Sequence, residues 1–127
     1  MTNKIILTLA AIALATGCSS IQTAKNSQGS GDKQIFSAPK EKVWPAMIAS
    51  VSNTGGAIKE KNQEQCYLLA TYGVTAWSWG ENVAVFCQEK DTSTEVEVVM
   101  EAALKTNVTA VERSPEIFNG ITSALSE

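Results

Sequence analysis

Histidine is absent from the 127 residues, and cysteine, methionine, proline and tryptophan occur three times each. Without histidine there is no imidazole base, no Ser-His-Asp or Cys-His pair and no His-ligated zinc. Charge is also sparse, at 18% of residues with a net of −3. A nucleic-acid partner is not expected, because such proteins carry a basic patch or a high pI. The chain has no phosphate-binding loop, no dinucleotide fingerprint and no G-x-S-x-G elbow. No enzyme activity, cofactor or metal is expected on these grounds. Internal repeats and coiled-coil heptads are lacking too. Its length fits one domain of the usual ~100–200 residues.

What is present is concentrated at the N-terminus. Met1-Thr2-Asn3-Lys4 is followed by Ile5 to Ala15 without a charge, then Thr16-Gly17-Cys18. An apolar run of 11 residues rises only ~16 Å as a helix, about half of the ~30 Å hydrocarbon core. It cannot span, and it has the form of a cleaved signal with a basic start and small residues before the cut.

Leu14-Ala15-Thr16-Gly17-Cys18 resembles the lipobox of bacterial lipoproteins, with Thr16 and Gly17 at its last two positions before the Cys and Ala15 where Leu is usual. The resemblance implies that the Cys18 thiol is diacylated, the signal removed and the new amine acylated. Two or more chains anchor stably, at ~0.8 kcal/mol per buried CH₂. Ser19 and Ser20 follow, with no Asp after the Cys. This implies a protein held in the bacterial envelope by its lipid, at the outer membrane and facing the periplasm. The competing reading is an ordinary secretory signal with an unmodified Cys. Residues 1–17 are thus assigned to the signal peptide.

Residues 18–33 then form the lipidated Cys and a linker. Ser, Gln, Gly, Asn and Lys dominate it, with Ile21 the single large aliphatic. Such a composition buries too little surface to offset chain entropy, and predicts a flexible tether. Residues 34–127 remain for a single domain, small enough to benefit from a staple.

Within it, Gln34 to Ser37 reads as an extended lead-in. Val43, Met47 and Val51, with Trp44 and Ile48 beside them, form an apolar stripe at helical spacing after Pro39. Pro45 predicts a kink or a start displaced toward Trp44. Gly55-Gly56 predicts a left-handed helix end. Ala57–Lys61, Cys66–Tyr72 and Asn82–Cys87 read as strands. Val96, Val98, Met100, Ala102 and Leu104 alternate with Glu95, Glu97, Val99, Glu101, Ala103 and Lys105 in the clearest strand. Ser114 as cap, Pro115 and the Ile117, Ile121, Leu125 series predict a last helix. Gly120 inside that helix costs ~1 kcal/mol against Ala, which packing must offset.

The order β-α-β-β-β-α gives an α+β fold, with an antiparallel sheet of about four strands and two helices packed on one face. Phe36-Ser37-Ala38-Pro39, Val43-Trp44, Ala46, Gly55-Gly56 and the closing Ile117-Phe118 and Leu125 look like small helix-grip or BamC-like domains of envelope lipoproteins. That resemblance implies an accessory or scaffold role without catalytic residues.

Setting Cys18 aside leaves Cys66 and Cys87. If their segments form one hairpin, its centre falls between Ala76 and Trp77, and the two cysteines lie opposite one another. Opposed residues have Cα atoms ~4.5–5.5 Å apart, within disulfide range. The bond would close a loop of 20 residues, worth ~3 kcal/mol, in an oxidising compartment. Two free buried thiols are the alternative. Trp77 and Trp79 flank Ser78 between Gly73 and Gly80. They form an exposed contact loop or, if the strands run further, one of them packs on the sheet. Glu95, Glu97 and Glu101 read as a solvated strand face. The function expected is a membrane-tethered, non-enzymatic interaction module that binds an envelope protein through the sheet or the Trp77/Trp79 loop. A small-ligand carrier with a pocket between sheet and helices is the alternative.

Overall fold

The computed structural model describes residues 21–73, 80–102 and 112–127. In chain order the elements are α1 (Ile21–Asn26), β1 (Asp32–Phe36), α2 (Lys40–Asn53), β2 (Gly56–Asn62), β3 (Tyr67–Tyr72), β4 (Glu81–Lys90), β5 (Ser93–Ala102) and α3 (Ser114–Leu125). The strands form one antiparallel sheet in the order β1-β5-β4-β3-β2. The fold is α+β as expected, but with five strands rather than about four. The four segments read as strands after α2 each form one, and the extended lead-in adds a fifth at 32–36, so four strands rather than three separate α2 from α3; a tight turn joins 56–62 to 67–72. That turn closes with the Gln65 N–H donating to Asn62 Oδ1 at 2.9 Å. Cys66 follows in the left-handed region at φ +53°.

α2 buries Val43, Trp44, Met47 and Val51 together with Ala46 and Ser50, so the apolar stripe faces the sheet. The helix runs from Lys40 through Pro45 without interruption, and its start is not displaced to Trp44. Pro45 is exposed, and so is Glu41, whose carbonyl would have received the missing hydrogen bond. Water is available to that carbonyl, which limits the cost of the proline. Gly55 ends the helix at φ +99°, with Thr54 N–H donating to Ser50 O at 3.0 Å. Only a residue tolerant of positive φ fits there.

α3 begins at Ser114 with Arg113 in the cap position, one residue earlier than the expected Ser114 cap. α2 and α3 cross where Gly120 meets Ser50. Ser50 Oγ donates to Ile117 O at 2.6 Å, a contact that any Cβ on Gly120 would invade. The glycine penalty in α3 is therefore offset by close helix approach.

Strand alternation gives the sheet two apolar faces. Leu68, Ala70, Val83, Val85, Val96 and Val98 point toward α2 and α3 and form the main core with Met47, Val51, Ile117 and Ile121. Tyr67, Leu69, Ala84, Phe86 and Val99 point the other way and form a second cluster with Ala24 of α1. Two helices share one face as expected, and a third, short one covers part of the other. The expected 18–33 linker is corrected over its described part: 21–26 is helical and 32–33 already belongs to β1. The reason is long-range, since 27–31 is fixed by contacts with β5 that composition does not report. The expected continuation of β5 over Ala103 to Lys105 lies outside the described residues.

Candidate functional site

Three constellations carry chemistry-bearing side chains. The first is the cysteine pair. β3 and β4 pair Tyr67 with Phe86 through to Tyr72 with Glu81, a register symmetric about the point between Ala76 and Trp77. Cys66 and Cys87 continue it, with Cα atoms 5.3 Å apart and the sulfurs bonded. Cys87 N–H donates to Cys66 O at 2.8 Å. The disulfide is 2% exposed at Cys66, so it is a structural staple at the end of the β3–β4 pair remote from their connection. Cys18, Trp77 and Trp79 lie outside the described residues. Trp44, expected in the core, is buried there.

The second lies at the opposite end of β3 and β4. Glu81 is 1% exposed, and its Oε2 lies 3.5 Å from Arg113 Nη2. Arg113 Nη1 donates to Glu116 Oε1 at 2.9 Å, and its guanidinium sits 4.5 Å from the Tyr72 ring centroid. Tyr72 Oη and Thr54 Oγ1 share a hydrogen bond of 2.8 Å. Partial burial works to lower the Arg113 pKa, but the Glu116 hydrogen bond and the Glu81 charge outweigh it and hold it above the ordinary value. Burial raises the Tyr72 phenol, partly opposed by the Thr54 hydrogen bond. This group ties the start of α3 to the sheet and to the end of α2. Its guanidinium is engaged by carboxylates on both sides and presents no acid–base pair to a cleft.

The third is the acidic stripe, in which Glu97 is buried rather than solvated as expected, while Glu95 and Glu101 are half-buried. Glu97 is 6% exposed, and its Oε2 accepts the N–H groups of Gly29 at 2.7 Å and Gly31 at 2.8 Å. Ser27 Oγ donates to Glu101 Oε1 at 3.5 Å. Nearby, Lys25 Nζ donates to Tyr67 Oη at 3.0 Å, and Tyr67 Oη donates to Glu60 Oε2 at 2.7 Å. The Tyr67 hydrogen bond, opposed by desolvation and helped by the Glu60 charge, raises the Lys25 pKa. Glu97 and Glu101 of β5 thus hold the N-terminal segment.

The two sheet edges differ. On β2 the register breaks between Ile58 and Glu60, and Lys59, Glu60 and Lys61 are exposed. Bulges and charges of this kind discourage strand addition. On β1, Ile35 is 60% exposed.

Clefts among the described residues are small. One of about 180 Å³ is bordered by Ser30, Asp32, Met100 and Glu112, and one of about 200 Å³ by Lys40, Trp44, Gln63 and Glu89. Ligand pockets usually start near ~300 Å³. Among the described residues no group of three or more Cys, Asp or Glu could hold a metal ion, and no helix is long and apolar enough to cross a membrane.

Neither Glu81–Arg113 nor the Glu97 contacts were anticipated. Their partners are 32 and more residues apart in sequence, and neither carries a local motif. The one available hint was the Gly29-Ser30-Gly31 spacing, which permits close backbone approach. The chain matches no protein-family model and no curated protein sequence.

Proposed function

We propose that the chain is a lipid-anchored lipoprotein of the bacterial envelope, whose α+β domain acts as a non-enzymatic interaction module. The observation that carries this reading is the Cys66–Cys87 disulfide. It belongs to a domain that follows a lipobox-like leader, and a stapled strand pair suits an oxidising compartment. The lipid on Cys18 supplies the membrane contact, and an envelope protein is the partner. The surfaces proposed for that partner are the Trp77/Trp79 loop, which lies outside the described residues, and the β1 edge, where Ile35 is exposed.

The interaction reading is preferred to a small-ligand carrier because fully buried side chains fill the space between the sheet and the two long helices. Met47, Leu68, Val85, Ile117 and Ile121 all meet there with no exposure.

Crosslinking in intact cells followed by outer-membrane fractionation tests the proposal. The expected result is a discrete adduct in the outer-membrane fraction that is weakened by Trp77→Ala with Trp79→Ala. Adducts unchanged by both substitutions would remove the loop, and a soluble, adduct-free protein would overturn the proposal.

A further inference from the structure

An end strand leaves alternate N–H and C=O groups without a strand partner, and stable monomers blunt such edges with bulges, charges or covering segments. The sheet ends on β2 at one side and β1 at the other. β2 is blunted by its register break and by exposed Lys59, Glu60 and Lys61. β1 pairs with β5 along its whole length without a shift. Asp32, Lys33, Gln34 and Ile35 are all exposed there. Ile35 is the one large apolar side chain so exposed among the described residues.

The β1–β5 register fixes the faces. Asp32 and Gln34 stand opposite Val98 and Val96, on the side of α2 and α3. Lys33 and Ile35 stand opposite Glu97 and Glu95, on the other side. Glu97 is taken by the Gly29 and Gly31 N–H groups. Neither Lys33 nor Glu95 forms an ion pair with any described residue.

Two copies of one end strand join antiparallel about a two-fold axis perpendicular to the sheet. Such an axis keeps each face on its own side, so opposed residues share a face and the axis passes through a residue. Only Gln34 as that residue pairs the whole of β1: Asp32 with Phe36, Lys33 with Ile35, and Gln34 with its own copy. Lys33 then lies across from Ile35 of the second copy. One strand further on the same face is Glu95 of the second copy, at roughly 10 Å between Cα atoms for two strand spacings. A lysine stem covers apolar surface while its ammonium reaches past it to a carboxylate. An edge lysine ordinarily discourages an added strand. In this register it is matched instead, and symmetry makes the match twice. The two Gln34 amides meet on the axis, each with donors and an acceptor for the other.

We propose that the β1 edge is the contact surface for a second copy of this chain, joining two five-stranded sheets into one continuous sheet about a two-fold axis through Gln34. This assigns one of the two surfaces of the interaction module proposed above and rests on that reading only there. It does not depend on the lipid.

Disulfide crosslinking of single-cysteine substitutions tests it, on the processed chain in detergent micelles with Cys66–Cys87 kept oxidised. Opposed residues have Cα atoms ~4.5–5.5 Å apart, within disulfide range, whereas diagonal ones at ~7–8 Å are outside it. Gln34→Cys is expected to form a dimer at least ~10-fold faster than Lys33→Cys or Ile35→Cys alone. Mixed together, the Lys33→Cys and Ile35→Cys proteins should crosslink to each other ~10-fold faster than either does to itself. Adding Ile35→Lys places like charges opposite one another at both symmetric contacts and should slow the Gln34→Cys dimer by ~10-fold, while Ile35→Val leaves its rate unchanged. Peptide mapping locates each bond, so a chain without lipid on Cys18 leaves the result intact. Equal rates at the three positions, or no dimer at any of them, would overturn the proposal. So would crosslinking of Gln34→Cys in intact cells to a different protein and not to its own copy.

Discussion

Replacing Gly120 by alanine separates local propensity from packing in this fold. In an exposed helix the change stabilises by ~1 kcal/mol. Here the new methyl would lie 2.9 Å from Ser50 Cβ and 3.2 Å from its Cα, and would also collide with Ser50 Oγ. The hydroxyl cannot simply rotate away, because it is buried and donates to Ile117 O at 2.6 Å. Overpacking costs ~1–3 kcal/mol, and loss of the buried hydrogen bond adds ~1 kcal/mol. Gly120→Ala should therefore destabilise by a net ~1–3 kcal/mol, read by urea unfolding with the disulfide intact. Combining it with Ser50→Gly moves the side chain from one helix to the other. The pair should recover at least ~1 kcal/mol relative to additivity. A Gly120→Ala protein more stable than the parent, or strict additivity of the two changes, would refute the close helix approach.

Three other perturbations follow from the same structure. Replacing both Cys66 and Cys87 by Ser should cost ~3 kcal/mol in urea unfolding, and non-reducing peptide mapping should recover the two cysteines of the parent in one linked species. Glu81→Ala leaves the Arg113 guanidinium with only the partly exposed Glu116 as its carboxylate partner among its ion pairs, and should cost ~2–3 kcal/mol by thermal unfolding. The Tyr72 phenol has its pKa raised in the fold, so the native state holds that proton longer than the unfolded chain. Its contribution is complete below the unfolded pKa of ~10 and is lost as pH rises through the raised folded value. The parent should lose stability above that pH, and Tyr72→Phe should lose less in the same titration.

The parts of the fold legible in the sequence were those with a period or a symmetry. Val43, Met47 and Val51 mark α2 because one face is buried against the sheet. The equal spacing of Cys66 and Cys87 about the Ala76–Trp77 midpoint anticipates the β3–β4 register, because a disulfide requires opposed residues. α1 was not legible, since a helix of six residues is too short to show an apolar stripe. Glu97 was misread because an acid on alternate strand positions usually faces water, and here a backbone turn from more than 60 residues away covers it. Glu81 and Arg113 meet only once α3 packs at the sheet end, so nothing local to either residue announced the pair.

The central claim, a lipid-anchored envelope protein, is tested most directly by the mass of the N-terminal tryptic peptide from membranes. The account predicts a peptide running from Cys18 to Lys25, with diacylglycerol on the thiol and an acyl group on the amine. A chain that still begins at Met1, or a processed chain whose Cys18 carries a free thiol, would contradict it.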